Sequence, residues 1–215
     1  MASKVRSENV VRKDHQESGF RLSRWVGANA IGLGVAYGLW ALFGDGVEAL
    51  FGVDHDSPVQ FIAVMVGLAI GAALFVELRR RVLAPHIDGS MKLALAAGVA
   101  LMLGVIVGFG VAGPPFDFVL GVISLGTIGG AVQWRTMRDQ LPRTGGLLLA
   151  NIGGWLLAGV AVTATAFLAG DTIDAAFGSG LTGFVAILTV LGLIGGAVGG
   201  VIEGAALRRR LDGGS

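Results

Sequence analysis

AAFGSGLTGFVAILTVLGLIGGAVGGVIEGAALRRRL, residues 175–211, runs through 28 uncharged residues before its first ionisable group, Glu203, and closes on Arg208, Arg209 and Arg210. About 20 apolar residues, rising 1.5 Å each, carry a helix across the hydrocarbon of a bilayer. A transmembrane β-strand instead shows about ten residues of alternating character. This run has neither that length nor that alternation, so it predicts a membrane-spanning helix, and the rest of the chain repeats the pattern.

Between Arg24 and Asp45, and between Asp56 and Glu77, lie 20 uncharged residues each; Lys92 to Asp117 encloses 24, Asp117 to Arg135 encloses 17, and Arg143 to Asp171 encloses 27. The expectation is an all-α integral membrane protein of six spans, at about 25–44, 58–78, 92–112, 117–137, 146–169 and 181–207. The transmembrane domain covers 25–209, between a polar tail over 1–24 and a basic C-terminus over 208–215. The fourth run is the shortest, and snorkelling of Arg135 can lengthen it. Asp56-Ser57-Pro58 offers a cap with Pro at the first helical position. Gly89-Ser90 and Thr144-Gly145 mark the third and fifth starts, while Gly113-Pro114-Pro115 and Pro142 bracket the fourth span. Hydrophobic residues make up 53% of the 215 and charged ones 14%, against about 25% charged in soluble domains. A water-soluble fold of this size has no place to hide so much apolar surface.

All 16 basic residues fall in the tail, the second and fourth connections and the C-terminus, whereas the other three connections carry only acids. The positive-inside rule therefore places both termini in the cytoplasm. The tail has six basic residues and no apolar core, which fits a cytoplasmic extension rather than a cleaved presequence. A net charge of +1 gives no reason to expect nucleic acid as a partner. The expected partners are the lipid bilayer and either a second copy or another membrane protein.

The even spans end alike. GTIGGAVQWRTMRDQL from Gly126 and GAVGGVIEGAALRRRL from Gly196 share Gly, Gly, Gly, Arg and Leu at a constant offset of 70. GLAIGAALFVELRRRV from Gly67 is a fainter copy at an offset of 59 through Gly67, Gly71 and Arg79. Ala28-Asn29 with Gly32 recurs as Ala150-Asn151 with Gly154. These echoes predict three repeated helical hairpins in a bundle, each an even number of spans and hence parallel to the others. The string Gly130-Ala131-Val132-Gln133-Trp134, with Met137-Arg138, Leu141-Pro142, Ala150-Asn151, Gly154 and Trp155, resembles a pattern in multi-pass bacterial membrane proteins. The resemblance covers roughly 30 residues. It implies a prokaryotic membrane location and brings no activity with it.

Two sets of residues stand out. Gly192, Gly196, Gly200 and Gly204 form a four-residue stripe on one face of the sixth span, as expected of close helix packing within the bundle or between copies. Asn29, Gln133, Asn151 and Glu203 each fall one to two turns from a cytoplasmic arginine. Together they predict a polar layer inside the membrane, facing the cytoplasm. Such a layer serves either as a structural hydrogen-bond network, with Glu203 neutral or reaching Arg208, or as a site for a cation or proton. Under the structural role, Glu203→Gln is expected to be almost silent or slightly stabilising, since it removes the cost of burying a carboxylate. Glu77 reads as interfacial, and Trp25, Tyr37, Trp40 and Trp134 as interface anchors or packing groups.

Catalytic, cofactor and metal motifs are not in evidence. The chain has no cysteine, and His15, His55 and His86 lie outside the spans. Phe177-Gly178-Ser179-Gly180 lacks a membrane histidine as base. The expectation is a non-enzymatic structural or accessory membrane component, the alternative a small channel or secondary transporter working through the polar layer.

Overall fold

The computed structural model describes residues 20–52, 54, 57–111, 116–138, 145–178 and 180–212. His15, His55, Asp56, Gly113-Pro114-Pro115, Pro142, Arg143, Thr144 and Ser179 lie outside them. Six helices follow one another: α1 (Leu22–Phe51), α2 (Pro58–Leu83), α3 (Ser90–Val111), α4 (116–137), α5 (Gly145–Phe177) and α6 (Leu181–Asp212). The described residues contain no strand. Five stretches are long and apolar enough to cross a membrane: α1, α2, Ser90–Val107 of α3, α5 and Leu181–Leu211 of α6.

The fourth helix is not among them, because a π-turn, Leu125–Gly129, divides it into Phe116–Ser124 and Gly130–Met137. Local chemistry favours that irregularity. Ser124 Oγ donates to the carbonyls of Ala100 and Gly121, and Thr127 Oγ1 to those of Ile123 and Ser124. Hydroxyls that compete for backbone carbonyls loosen the regular ladder, and three glycines nearby add freedom.

Caps follow the sequence where they are described. Ser57 Oγ accepts from the Gln60 amide at 3.2 Å, with Pro58 in the first turn. Gly52, at φ 63°, ends α1. Gly89, at φ 80°, precedes α3. The helices overrun the predicted spans: α1 continues past residue 44 and carries Asp45 and Glu48 in its last turns rather than in a loop.

Consecutive helices are neighbours, and α6 closes the ring on α1, the pair with the most extensive contact. The glycine stripe makes that seam. A Cβ on Gly192 would stand 2.7 Å from the Leu33 carbonyl oxygen, and one on Gly200 would stand 3.1 Å from Asn29 Cβ. One on Gly196 would strike the Asn29 carbonyl, and one on Gly204 the Trp25 ring. All four glycines thus serve packing within the chain. α2 meets α1 in the same way through Gly67 and Gly71, and α4 meets α5 through Gly126 and Gly130.

Two apolar clusters line the ring. The larger, around Leu33, Tyr37, Trp40, Leu68, Leu101, Leu125, Trp155 and Leu191, occupies the middle and the acid-bearing end. The smaller gathers Phe20, Trp25, Leu83, Ile87, Leu93, Met137, Leu147 and Leu207. It draws on all six helices where their arginine-bearing ends meet, so the helices alternate in direction. Trp25, Tyr37 and Trp40 are buried, which makes them packing groups and not interface anchors.

Candidate functional site

The four polar residues picked out by depth come together. Asn29 from α1, Gln133 from α4, Asn151 from α5 and Glu203 from α6 all lie in one layer, and a fifth residue, Arg79 from α2, completes it. All five are 4% exposed or less. Arg79 Nη2 donates to Glu203 Oε1 at 2.7 Å and Nη1 to Oε2 at 3.3 Å, a two-pronged pair. Nη1 also donates to Asn29 Oδ1 at 2.5 Å. Asn29 in turn gives its Nδ2 hydrogen to the Trp25 carbonyl at 2.8 Å. On the other flank Asn151 Nδ2 donates to Gln133 Oε1, with a long 3.5 Å approach to Glu203 Oε1.

Aromatic faces hold the guanidinium from outside this plane. Its carbon lies 4.4 Å from the Trp25 ring centre and 5.3 Å from that of Phe75. A planar, delocalised and weakly hydrated cation suits such stacking better than an ammonium does. The fork also matches a carboxylate bidentately, as a lysine could not.

Two expectations change. Glu203 meets Arg79 through both carboxyl oxygens, and not Arg208. The layer also does not open on the arginine-bearing end, because the smaller apolar cluster lies across it there. Glu77 is partly exposed and bonded to Arg80 Nε and Arg81 Nε at 2.7 Å each. Arg79 was counted among the loop charges, and its inward turn was missed. The signal lay in the triplet itself. On a helix Glu77 reaches partners at i+3 and i+4 but not at i+2, so Arg80 and Arg81 share Glu77 while Arg79 points elsewhere.

Four buried polar atoms of this region, Trp25 Nε1, Arg79 Nε, Gln133 Nε2 and Asn151 Oδ1, have no hydrogen-bond partner among the described residues. Each such group costs about 1–3 kcal/mol when left unmet. They surround the ion pair and leave the layer with hydrogen-bonding capacity to spare. No group of three or more His, Asp or Glu side chains that could hold a metal occurs among the described residues.

The glycines carry the layer. Gly196 and Gly200 bring α6 onto the backbone and side chain of Asn29, and Gly126 and Gly130 bring α4 onto those of Asn151. Each asparagine therefore sits over a glycine pair that leaves room for its amide to reach across the ring. Gly67 and Gly71 pack instead on Leu39 and Ala36 of α1. Comparison of the chain with protein-family models, with curated proteins and with solved structures gives no match.

Proposed function

We propose that the chain is a six-span membrane protein acting as a rigid structural or accessory component, its ring locked by a buried ion pair. The observation that carries this reading is the position of the Arg79–Glu203 pair between two apolar clusters. A transport site has to meet water at some stage, whereas these charges are covered by apolar side chains towards both ends. Truncating one member of such a pair strands the other, so the pair ties α2 to α6 across the ring and couples both to α1 through Asn29.

A sixth span is supported by the 22 residues of α4, about 33 Å of helix at 1.5 Å per residue. Val122 and Leu125 of α4 pack into the central core. The hairpin repeat is supported by the matching asparagine-over-glycine contacts at Asn29 and Asn151. It is weakest in the first hairpin, where Arg79 is buried while its sequence counterparts Arg138 and Arg208 are exposed. Cytoplasmic termini follow from the basic residues alone, and a prokaryotic plasma membrane from the resemblance.

A second reading, a small transporter, rests on the unpartnered Gln133 Nε2, Asn151 Oδ1 and Arg79 Nε, which could hydrogen-bond a small polar solute. Ion and proton flux in proteoliposomes separates the two. The structural reading expects no flux above empty vesicles for common cations, protons or small anions. Flux that is abolished by Glu203→Gln in protein that remains folded would replace it with the transporter.

A further inference from the structure

Towards the acid-bearing end the ring is not filled. A cavity of about 360 Å3 lies among α1, α2, α3 and α6, walled by Trp40, Phe61, Val64, Met65, Val105 and Phe184. Its polar groups, Asp45, Ser57 and Gln60, stand where α1 ends and α2 begins. The cavity reaches the outside of the bundle between α2 and α3, at Phe61 and Ile106, which are 49% and 38% exposed. The helix pair itself explains the opening. A short connection joins α2 to α3, and Gly98 lets them meet near it, against Val76. Further along α3, Gly104 faces α4 and not α2. The two helices therefore have a close contact at one end and side chains between them at the other.

We propose that this cavity binds a single-chain amphiphile with a positively charged head, taken from the surrounding bilayer through the α2–α3 opening. Three observations carry the assignment. The walls are apolar with polarity gathered at one end, the profile of a tail and a head. The volume is near the lower bound of about 300–1,000 Å3 usual for ligand pockets, which suits one aliphatic chain and not the pair carried by a phospholipid. The sign of the charge follows from the surroundings: Asp45, Glu48 and Asp54 lie at this end, and the described basic residues lie at the other. Asp45 and Glu48 both have partners within the protein, so the attraction is that of the local field and needs no free carboxylate.

The test uses the full chain in nanodiscs of neutral phosphatidylcholine, with two photoreactive single-chain probes that differ only in an ammonium or a sulfonate head. The expected result is adducts on Phe61, Val64 and Met65, about tenfold more from the ammonium probe, which corresponds to about 1.4 kcal/mol. Val64→Phe, which fills the cavity, should remove them at unchanged thermal stability. If that variant fails to fold, Ile106→Phe at the opening takes its place. Asp45→Asn should narrow the preference between heads. Adducts spread evenly over the lipid-facing Ile62, Val66 and Ile70 would overturn the site. Equal labelling by both heads would overturn its charge selectivity.

Discussion

The α1–α6 seam and the α2–α3 seam are made from the same kinds of residue and behave in opposite ways. Along the first, glycine recurs every fourth residue, and each one faces backbone or a ring of the partner helix. The helices stay close for four turns, and a charged pair survives beside them because nothing else has room to enter. Along the second, one glycine near the connection meets one valine side chain, and beyond it the helices enclose a cavity. In lipid no hydrophobic effect drives apolar helices together, so closeness has to come from dispersion and polar contacts between backbones. Spacing of small residues, not their number, decides which seam closes.

The comparison breaks most completely at Gly196. Leucine there would drive its side chain into the Asn29 carbonyl and Ala30 Cα, so Gly196→Leu should abolish a monodisperse folded species in detergent. Size-exclusion profiles and a thermal melt check this, and a wild-type melt would end the close-packing account of the seam.

The next effect concerns the charge that this seam shelters. Glu203→Gln strands the Arg79 guanidinium and should lower stability by about 3–5 kcal/mol, whereas Arg79→Met with Glu203→Leu should return to within about 1 kcal/mol of the parent. The sequence alone, without the Arg79 contact, predicts an almost silent or slightly stabilising substitution, and that contact reverses the sign. Equilibrium denaturation of Arg79→Met, Glu203→Leu and the double completes the cycle. Additive losses would show that the pair is not coupled.

The looser seam should forgive what the tighter one cannot. At Gly98 a new methyl would stand 2.5 Å from Val76 Cγ2 and at an ordinary 3.6 Å from the Ala72 carbonyl oxygen, so one stiff side chain has to shift, against which alanine gains about 1 kcal/mol of helix propensity over glycine. Gly98→Ala should therefore change stability by less than about 1 kcal/mol. Smallest of all is Gly153→Ala on the outer face of α5, where nothing lies within 4 Å of the added carbon. It should be neutral or stabilising by up to about 1 kcal/mol. A large loss in the Gly153→Ala melt would mean that this face is covered in the folded protein.

The helices were legible because long uncharged runs bounded by charges mark them independently of partners. The polar layer was legible through depth: Asn29, Gln133, Asn151 and Glu203 share a distance from the helix ends, and a helix converts residue count to height. Direction around the helix axis was harder to read. Counting Arg79 with Arg80 and Arg81 treated three positions 100° apart as one surface, and so hid the partner of Glu203. The π-turn in α4 was not legible, since Thr163, Thr165 and Thr189 bond back to carbonyls of their own helices without breaking them, so a hydroxyl in the sequence does not mark one. Nor was the cavity, which depends on what Gly104 faces.

Closing the ring through its first and last helices imposes an order on biosynthesis. Arg79 is made 124 residues before Glu203, roughly 6–25 s at translation rates of about 5–20 residues per second. Through that interval the guanidinium has company only from its own hairpin, Asn29 Oδ1 and the Trp25 and Phe75 rings. Those three act as a holding site within a half-built protein, and the carboxylate arrives last, with the helix that shuts the ring. A ribosome stalled before α6 would thus leave a chain inserted but unlocked, exposing α1 along the face that its glycine-striped partner should cover.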